Sequence, residues 1–377
     1  MILPQSQISI DRIKIGGITL SFDSILSALY SLGFLDVESD SEAAKTSEAR
    51  FPAVAGFSRP FKHYCNLIGS CTSFKKDDKF IRIYALNLQS KGWNAARFEF
   101  GITPNKTGYA AYELYPSNLN PQALKALACF DSLITETFGK NYAYASFFKN
   151  GKVSICEWCV DFLNIPPDSF LIHRPGARKS AMYQGNDFHI VDPSIIDFDD
   201  PDDYDMAELA LDHGITGPTA LPKDPPGITG HRKTQYSGGR KSLIQAKSYC
   251  KKTHLRDTCR PNLYESYPYR TRIEQVCRKT GTHPTALADM KNPFDTSQVL
   301  DLAKAATIKD RQWTWFVKGA KAKGVAMALK SLKTDGLRAR MRGHLVNCLA
   351  DWFNPSLVWK GREKAVTAIT PERLQLQ

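Results

Sequence analysis

Two carboxylate-bearing stretches and one tyrosine are the first places to look for chemistry in this 377-residue chain. In VSICEWCVDF, strand alternation puts Ile155, Glu157, Cys159 and Asp161 on one face and Cys156, Trp158, Val160 and Phe162 on the other. The second set is a core face. The first holds two carboxylates about 13 Å apart by strand rise, where each is costly unless paired, solvated or bound to a cation. In YRTRIEQVCRK the same alternation groups Arg270, Arg272, Glu274 and Val276. An Arg-x-Glu on one strand face suits a cross-strand ion pair, and equally a phosphate-binding arginine beside a metal-binding carboxylate.

Between these stretches lies TQYSGGRKS, residues 234–242. Gly238 and Gly239 permit a tight turn or a close backbone approach that brings main-chain N–H groups near a phosphate. Arg240 and Lys241 add charge. Tyr236 has a phenol with an ordinary pKa near 10, a weak nucleophile at neutral pH unless cations favour the phenolate. Residues 231–260 hold nine Lys or Arg and one acid, Asp257.

The elements that must carry these residues are legible in outline. ISIDRIKIGGITL, KFIRIYALNL, AARFEFGITP and KVSICEWCVDFL read as strands, as do RKSLIQAKSYCKK and YRTRIEQVCRK. SFDSILSALYSLGF and NPQALKALACFDSLITETFG read as helices, the second starting after Asn120 and ending near Gly139. GAKAKGVAMALKSL and LRARMRGHLVNCLADWF are helical patterns with basic faces. This order predicts an α+β domain around an antiparallel sheet, residues 1–285, with a helical, basic extension over 286–377 that binds DNA or packs against the domain. The acidic run DPSIIDFDDPDDYD lacks the spacing and glycine of a calcium loop and marks a loop insertion over about 192–230.

The net charge of +12 is unevenly placed: residues 231–377 carry +18 and the remainder −6. Such a split suits a polyanion such as nucleic acid. Nine irregularly spaced cysteines argue against a disulfide scaffold, and the lone Cys156/Cys159 pair lacks partners for a zinc site. No apolar run reaches the roughly 20 residues of a membrane helix, so a cytoplasmic protein is expected. In QWTWF, Trp313, Trp315 and Phe316 suit either a helix-packing cluster or a platform for unpaired bases.

TQYSGGRKSLIQAKSYCKK followed by YPYRTRIEQVCRK resembles the replication initiation factor family of rolling-circle plasmids and filamentous phages. KVSICEWCVDFL is similar to that family's Asp-rich strand, RFEFGITPNK to its Arg-x-Glu-Phe stretch, and ADWFNPSLVW to a late helical segment; together they span about residues 8–362. Glu157 stands where the family usually has Asp, and Leu243 where an acid commonly follows the family's Ser. The resemblance implies a curved, nicking-endonuclease-like sheet of two pseudo-repeated halves. It implies a DNA nicking-closing endonuclease whose tyrosine leaves a 5′-phosphotyrosyl link and a priming 3′-OH. Carried over, the nucleophile is Tyr236, with Tyr249 as runner-up. Mg²⁺ or Mn²⁺ is held by Glu157, Glu274 and Asp161, and Arg240, Lys241 and Arg272 neutralise phosphate charge. The implied partners are double- and single-stranded origin DNA, a host helicase and a second copy of the chain. None of the eight histidines forms the His-x-His pair of many nickases, which leaves an all-carboxylate site. The alternative is a non-catalytic origin- or operator-binding protein on the same fold. The ordered arginines, His-x-x-Arg and late tyrosine of a tyrosine recombinase are not apparent.

Overall fold

The computed structural model describes residues 8–32, 49–51, 65–76, 79–90, 93–102, 108–163, 165–183, 188–191, 219–222, 234–239, 241–251 and 270–376. The acidic run and Arg240 lie outside these residues.

The first half of the chain forms β1 (Ser9–Ile18), α1 (Phe22–Ser31), β2 (Ala49–Phe51), β3 (Cys65–Lys76), β4 (Lys79–Ser90), β5 (Trp93–Ile102) and β6 (Gly108–Leu114). Two helices follow, α2 (Pro121–Phe138) and α3 (Tyr144–Asn150), and lead into β7 (Lys152–Leu163). Next come β8 (Phe170–His173), β9 (Ser180–Tyr183), β10 (Phe188–Val191), β11 (Thr219–Pro222), β12 (Thr234–Ser237), β13 (Ile244–Cys250) and β14 (Arg270–Arg278). After β15 (Gln298–Asp301), the tail is helical: α4 (Leu302–Thr307), α5 (Arg311–Lys323), α6 (Val325–Lys330), α7 (Asp335–Asn347), α8 (Pro355–Trp359), α9 (Arg362–Thr367) and α10 (Pro371–Leu374).

Among the described residues, eleven strands form one antiparallel sheet in the order β2-β3-β4-β5-β6-β1-β7-β14-β13-β12-β9. The order is that of two similar halves. In each, an opening strand (β1 or β7) is followed by a meander whose last strand (β6 or β14) returns to pair with it. The opening strands pair with each other at the centre.

One sheet face is apolar and covered by helices. Asn120 accepts hydrogen bonds from the N–H groups of Gln122 and Ala123, Pro121 occupies the first turn, and Gly139 ends α2 with φ +96°. This helix and α3 lay Phe138 and Phe147 on the first half, with Phe138 4.9 Å from both Phe98 and Phe100. Burying each such ring is worth about 1.5–3 kcal/mol. On the second half, Trp158 packs 4.7 Å from Trp359 and Phe162 5.0 Å from Trp352. The last helices thus return to the main core, where Tyr144 Oη also donates to Ile369 O at 2.8 Å.

Helices α4–α7 gather round a second cluster with Leu171, Trp313 and Phe316, and β15 joins it to the sheet side by pairing with β8. Two expected helices are shorter than their patterns. Gly324 at φ +82° breaks the 319–332 pattern into α5 and α6, and a Cβ there would lie 2.5 Å from Ser180. The 337–353 pattern stops at Asn347 because Leu349 pairs with Leu300 instead. Among the described residues no helix is long and apolar enough to cross a membrane.

Candidate active site on the polar face of the sheet

The other face is polar, and the register of four strands decides what meets on it. Tyr236 opposes Lys247, Lys247 opposes Glu274, and Glu274 opposes Cys159. Directly opposed residues share a face, so Tyr236, Lys247 and Glu274 form one rung. Tyr236 and Glu274 are two strand spacings apart, about 10 Å. Glu157 opposes Val276, which places it on the diagonal from Glu274 on the same face. Tyr249 opposes Arg272, which opposes Asp161, so these three form the next rung.

The register therefore brings Tyr236, Tyr249, Arg272, Glu157, Asp161 and Glu274 onto one face of the sheet. Tyr236 is half-buried, with Ala181 of the edge strand β9 on its far side. Lys241 is exposed in the turn after β12. The glycine turn differs from a phosphate cradle: Gly238 N–H donates to Lys179 O and Gly239 N–H to Ser242 Oγ, both at 2.9 Å. Gly238 is needed for its φ of +101° and for the 3.0 Å gap to Ile244 O that a Cβ would close. Leu243 is 64% exposed.

Glu274 is fully buried. It accepts the Tyr249 phenol at Oε1 and stands 2.9 Å from Lys247 Nζ at Oε2. Burial disfavours the Lys247 ammonium, but Glu274, Tyr236 and Glu157 outweigh it and raise its pKa. Lys247 also lies 4.5 Å above the Tyr249 ring. Burial, and then the Glu274 charge, push the Tyr249 phenol well above its ordinary pKa. Glu157 is paired with Arg12 at 3.2 Å. Burial and the nearby Glu274 nonetheless push its carboxyl up to about 7. Two carboxylates that repel each other in this way are short of positive charge, and their hard oxygens suit a divalent cation. Arg12 and Lys247 supply part of that charge.

Arg272 and Asp161 are arranged otherwise than expected. Arg272 Nε and Nη2 donate to the two Asp161 oxygens at 2.7 and 3.1 Å, and Nη1 donates to Asp11 at 2.7 Å. All three side chains are largely buried. A register shift in β1 between Ile10 and Arg12 turns Asp11 toward this arginine. Burial acts against the Asp11 carboxylate, but Arg272 and Lys251 overcome it and hold its pKa below the usual range. The guanidinium expected to meet a phosphate is enclosed by two carboxylates, and the Asp161 oxygens expected on a metal meet the guanidinium. Among the described residues no group of three or more His, Cys, Asp or Glu is set to hold a metal.

Lys247, Arg12 and Asp11 escape the sequence reading. Their signal was present: Gln245, Lys247 and Tyr249 alternate in LIQAKSYC, and IDRIKI carries three charges in a strand. The first half repeats the rung as Asn87, Arg97, Glu113 and Lys14. It has asparagine where the second half has Tyr236, so only the second half places a phenol there. In the tail, Trp313 and Phe316 are buried, whereas Trp315 is 63% exposed with Lys318 Nζ 5.6 Å from its ring centre.

No family model matches the chain, and no curated protein does. Among solved structures, the chain is similar to a rolling circle replication initiator protein from Geobacillus stearothermophilus, with 11% identity, a TM-score of 0.31, and coverage of 85% of this chain and 98% of that one.

Proposed function

We propose that the chain is a rolling-circle DNA replication initiator that nicks and rejoins one strand of origin DNA through Tyr236. The observation that carries this reading is the rung Tyr236–Lys247–Glu274 with Glu157 on its diagonal. It sets a half-buried tyrosine beside a cation and two neighbouring carboxylates. The Tyr236 oxygen attacks phosphorus, the phosphorus–O3′ bond breaks, and the 3′ oxygen leaves with a proton as the priming hydroxyl. The phenol proton passes to a base, and the reverse reaction rejoins the strand.

In this reading Glu157 and Glu274 would hold Mg²⁺ or Mn²⁺, and the cation would supply positive charge that favours the phenolate. Lys247 holds Glu274 in place and adds positive charge beside the phenol. Lys241 adds positive charge from the turn after β12. Asp161 and Arg272 position the neighbouring strands instead of touching substrate. Tyr249 keeps Glu274 oriented, and its burial and its bond to that carboxylate keep it from the phosphate. Duplex and single-stranded origin DNA, a host helicase and a second copy are the partners of this reading, and the cytoplasm its place of action.

The test incubates the protein with supercoiled plasmids carrying the DNA that flanks its own coding sequence, with Mg²⁺ or Mn²⁺. A covalent protein–DNA adduct is expected, present in Tyr249→Phe and lost in Tyr236→Phe. Specific binding without any adduct would favour a non-catalytic origin-binding protein. An adduct that survives Tyr236→Phe would move the nucleophile.

A further inference from the structure

A cavity of about 530 Å³ opens where the end of β8, the turn after it, β15, α6 and α7 meet. Its wall carries His173, Arg178, Gln298, Lys330, Arg338 and Arg342, and no carboxylate. The remaining lining is mostly aliphatic. Strand β8 lies behind β12: Gln235 and Ser237, which alternate with Tyr236, accept the N–H groups of Ile172 and Arg174 at 2.9 Å. The cavity therefore belongs to the sheet face opposite Tyr236 and its carboxylates.

Three features point to an anion. Arg338 and Arg342 are one turn apart on one face of α7, and Arg178 and Lys330 stand across from them in the lining. Among the described residues only Arg338 of these four has an ionic partner, Asp335, and it also donates to Leu332 O. The other three cations repel one another, and a counter-charge among them would relieve that repulsion. His173 is 5% exposed, lines the cavity, and buries an Nδ1 that has no hydrogen-bond partner among the described residues. An unsatisfied buried polar atom costs about 1–3 kcal/mol.

We propose that this cavity binds a phosphate group, held by Arg342, Arg178 and Lys330 with His173 at its base. The oxyanion suits the arginine forks, and the aliphatic wall can take the sugar or base attached to it. Burial, then Arg342 and Arg174, push the His173 pKa down to about 4; a bound anion works in the opposite direction. The phosphate is either that of a free nucleotide or one in a nucleic-acid backbone. The site goes beyond the nicking reaction and does not depend on it.

The full chain carrying Tyr236→Phe is titrated with inorganic phosphate, a nucleoside 5′-monophosphate and a 20-nucleotide single strand, following the labelled His173 ring by NMR. Each probe that binds is repeated with Arg342→Gln and with Arg340→Gln. Arg340 lies on the same helix, exposed and 3.4 Å from Asp310, so it controls for the loss of one positive charge. A shifted His173 signal is expected, with binding at least about tenfold weaker in Arg342→Gln and little changed in Arg340→Gln. Binding of phosphate and the mononucleotide identifies a free-nucleotide site, and binding of the strand alone identifies backbone contact. The proposal fails if no probe moves the His173 signal, or if the two arginine changes have equal effects.

Discussion

Glu157→Gln tests the electrostatics of the carboxylate pair without reference to catalysis. In the fold this carboxyl titrates at about 7 instead of its ordinary 4.5, through burial first and Glu274 second. Each pKa unit is worth about 1.4 kcal/mol, so the charged form costs the folded state about 3 kcal/mol. The side chain is only 15% exposed, so solvent screening removes little of this. The sign follows from proton uptake. Between pH 4.5 and 7 the folded chain binds this proton and the unfolded chain does not, so stability from this group is full below 4.5 and gone above 7. Glutamine mimics the neutral acid at every pH. The variant should match the wild type near pH 4.5 and be about 3 kcal/mol more stable at pH 8, in urea unfolding with chelator present. Adding Mg²⁺ at tenfold over its dissociation constant should then stabilise the wild type by about 1.4 kcal/mol, and the variant less. A difference between the two proteins that does not change with pH, or a variant less stable at pH 8, would refute the reasoning.

Arg272→Ala leaves Asp161 and Asp11 buried without their partner, and should lower stability by about 3–5 kcal/mol in denaturant unfolding; a loss under 1 kcal/mol would contradict the buried triad. Tyr249→Phe removes the phenol that Glu274 accepts and should cost about 1–3 kcal/mol, with DNA adduct formation retained; loss of the adduct in a stably folded variant would reassign the chemistry. Trp315→Ala, on an exposed ring, should leave unfolding unchanged and weaken single-stranded DNA binding by about 1–3 kcal/mol in fluorescence titrations. Unchanged affinity would assign this tryptophan no part in base stacking.

Alternation within a strand is a local property, and it alone put Glu157, Cys159 and Asp161 on one face and Trp158 and Phe162 on the other. It did the same for Arg272 and Glu274. Asn120, Pro121 and Gly139 bounded α2 for equally local reasons of capping and φ, and the basic second part of the chain is a matter of composition. What no local pattern contains is which strand lies beside which. Glu274 opposes Cys159 across 115 positions of sequence, and only that pairing, with Tyr236 opposite Lys247 and Lys247 opposite Glu274, turns four separate polar strands into one site. The pairing also decides that Arg272 faces Asp161, while a one-residue irregularity in β1 delivers Asp11 to the same guanidinium. Trp313 and Trp315 are two residues apart in a helix, yet one is core and the other exposed, because packing selects the face. Gly324 stops a helix whose apolar pattern continues, since the backbone there runs too close to Ser180 for a side chain. The cavity around His173 depends on tertiary structure in the same way: its cations come from segments separated by more than 150 residues, and nothing short of the folded chain brings them to one unsatisfied imidazole.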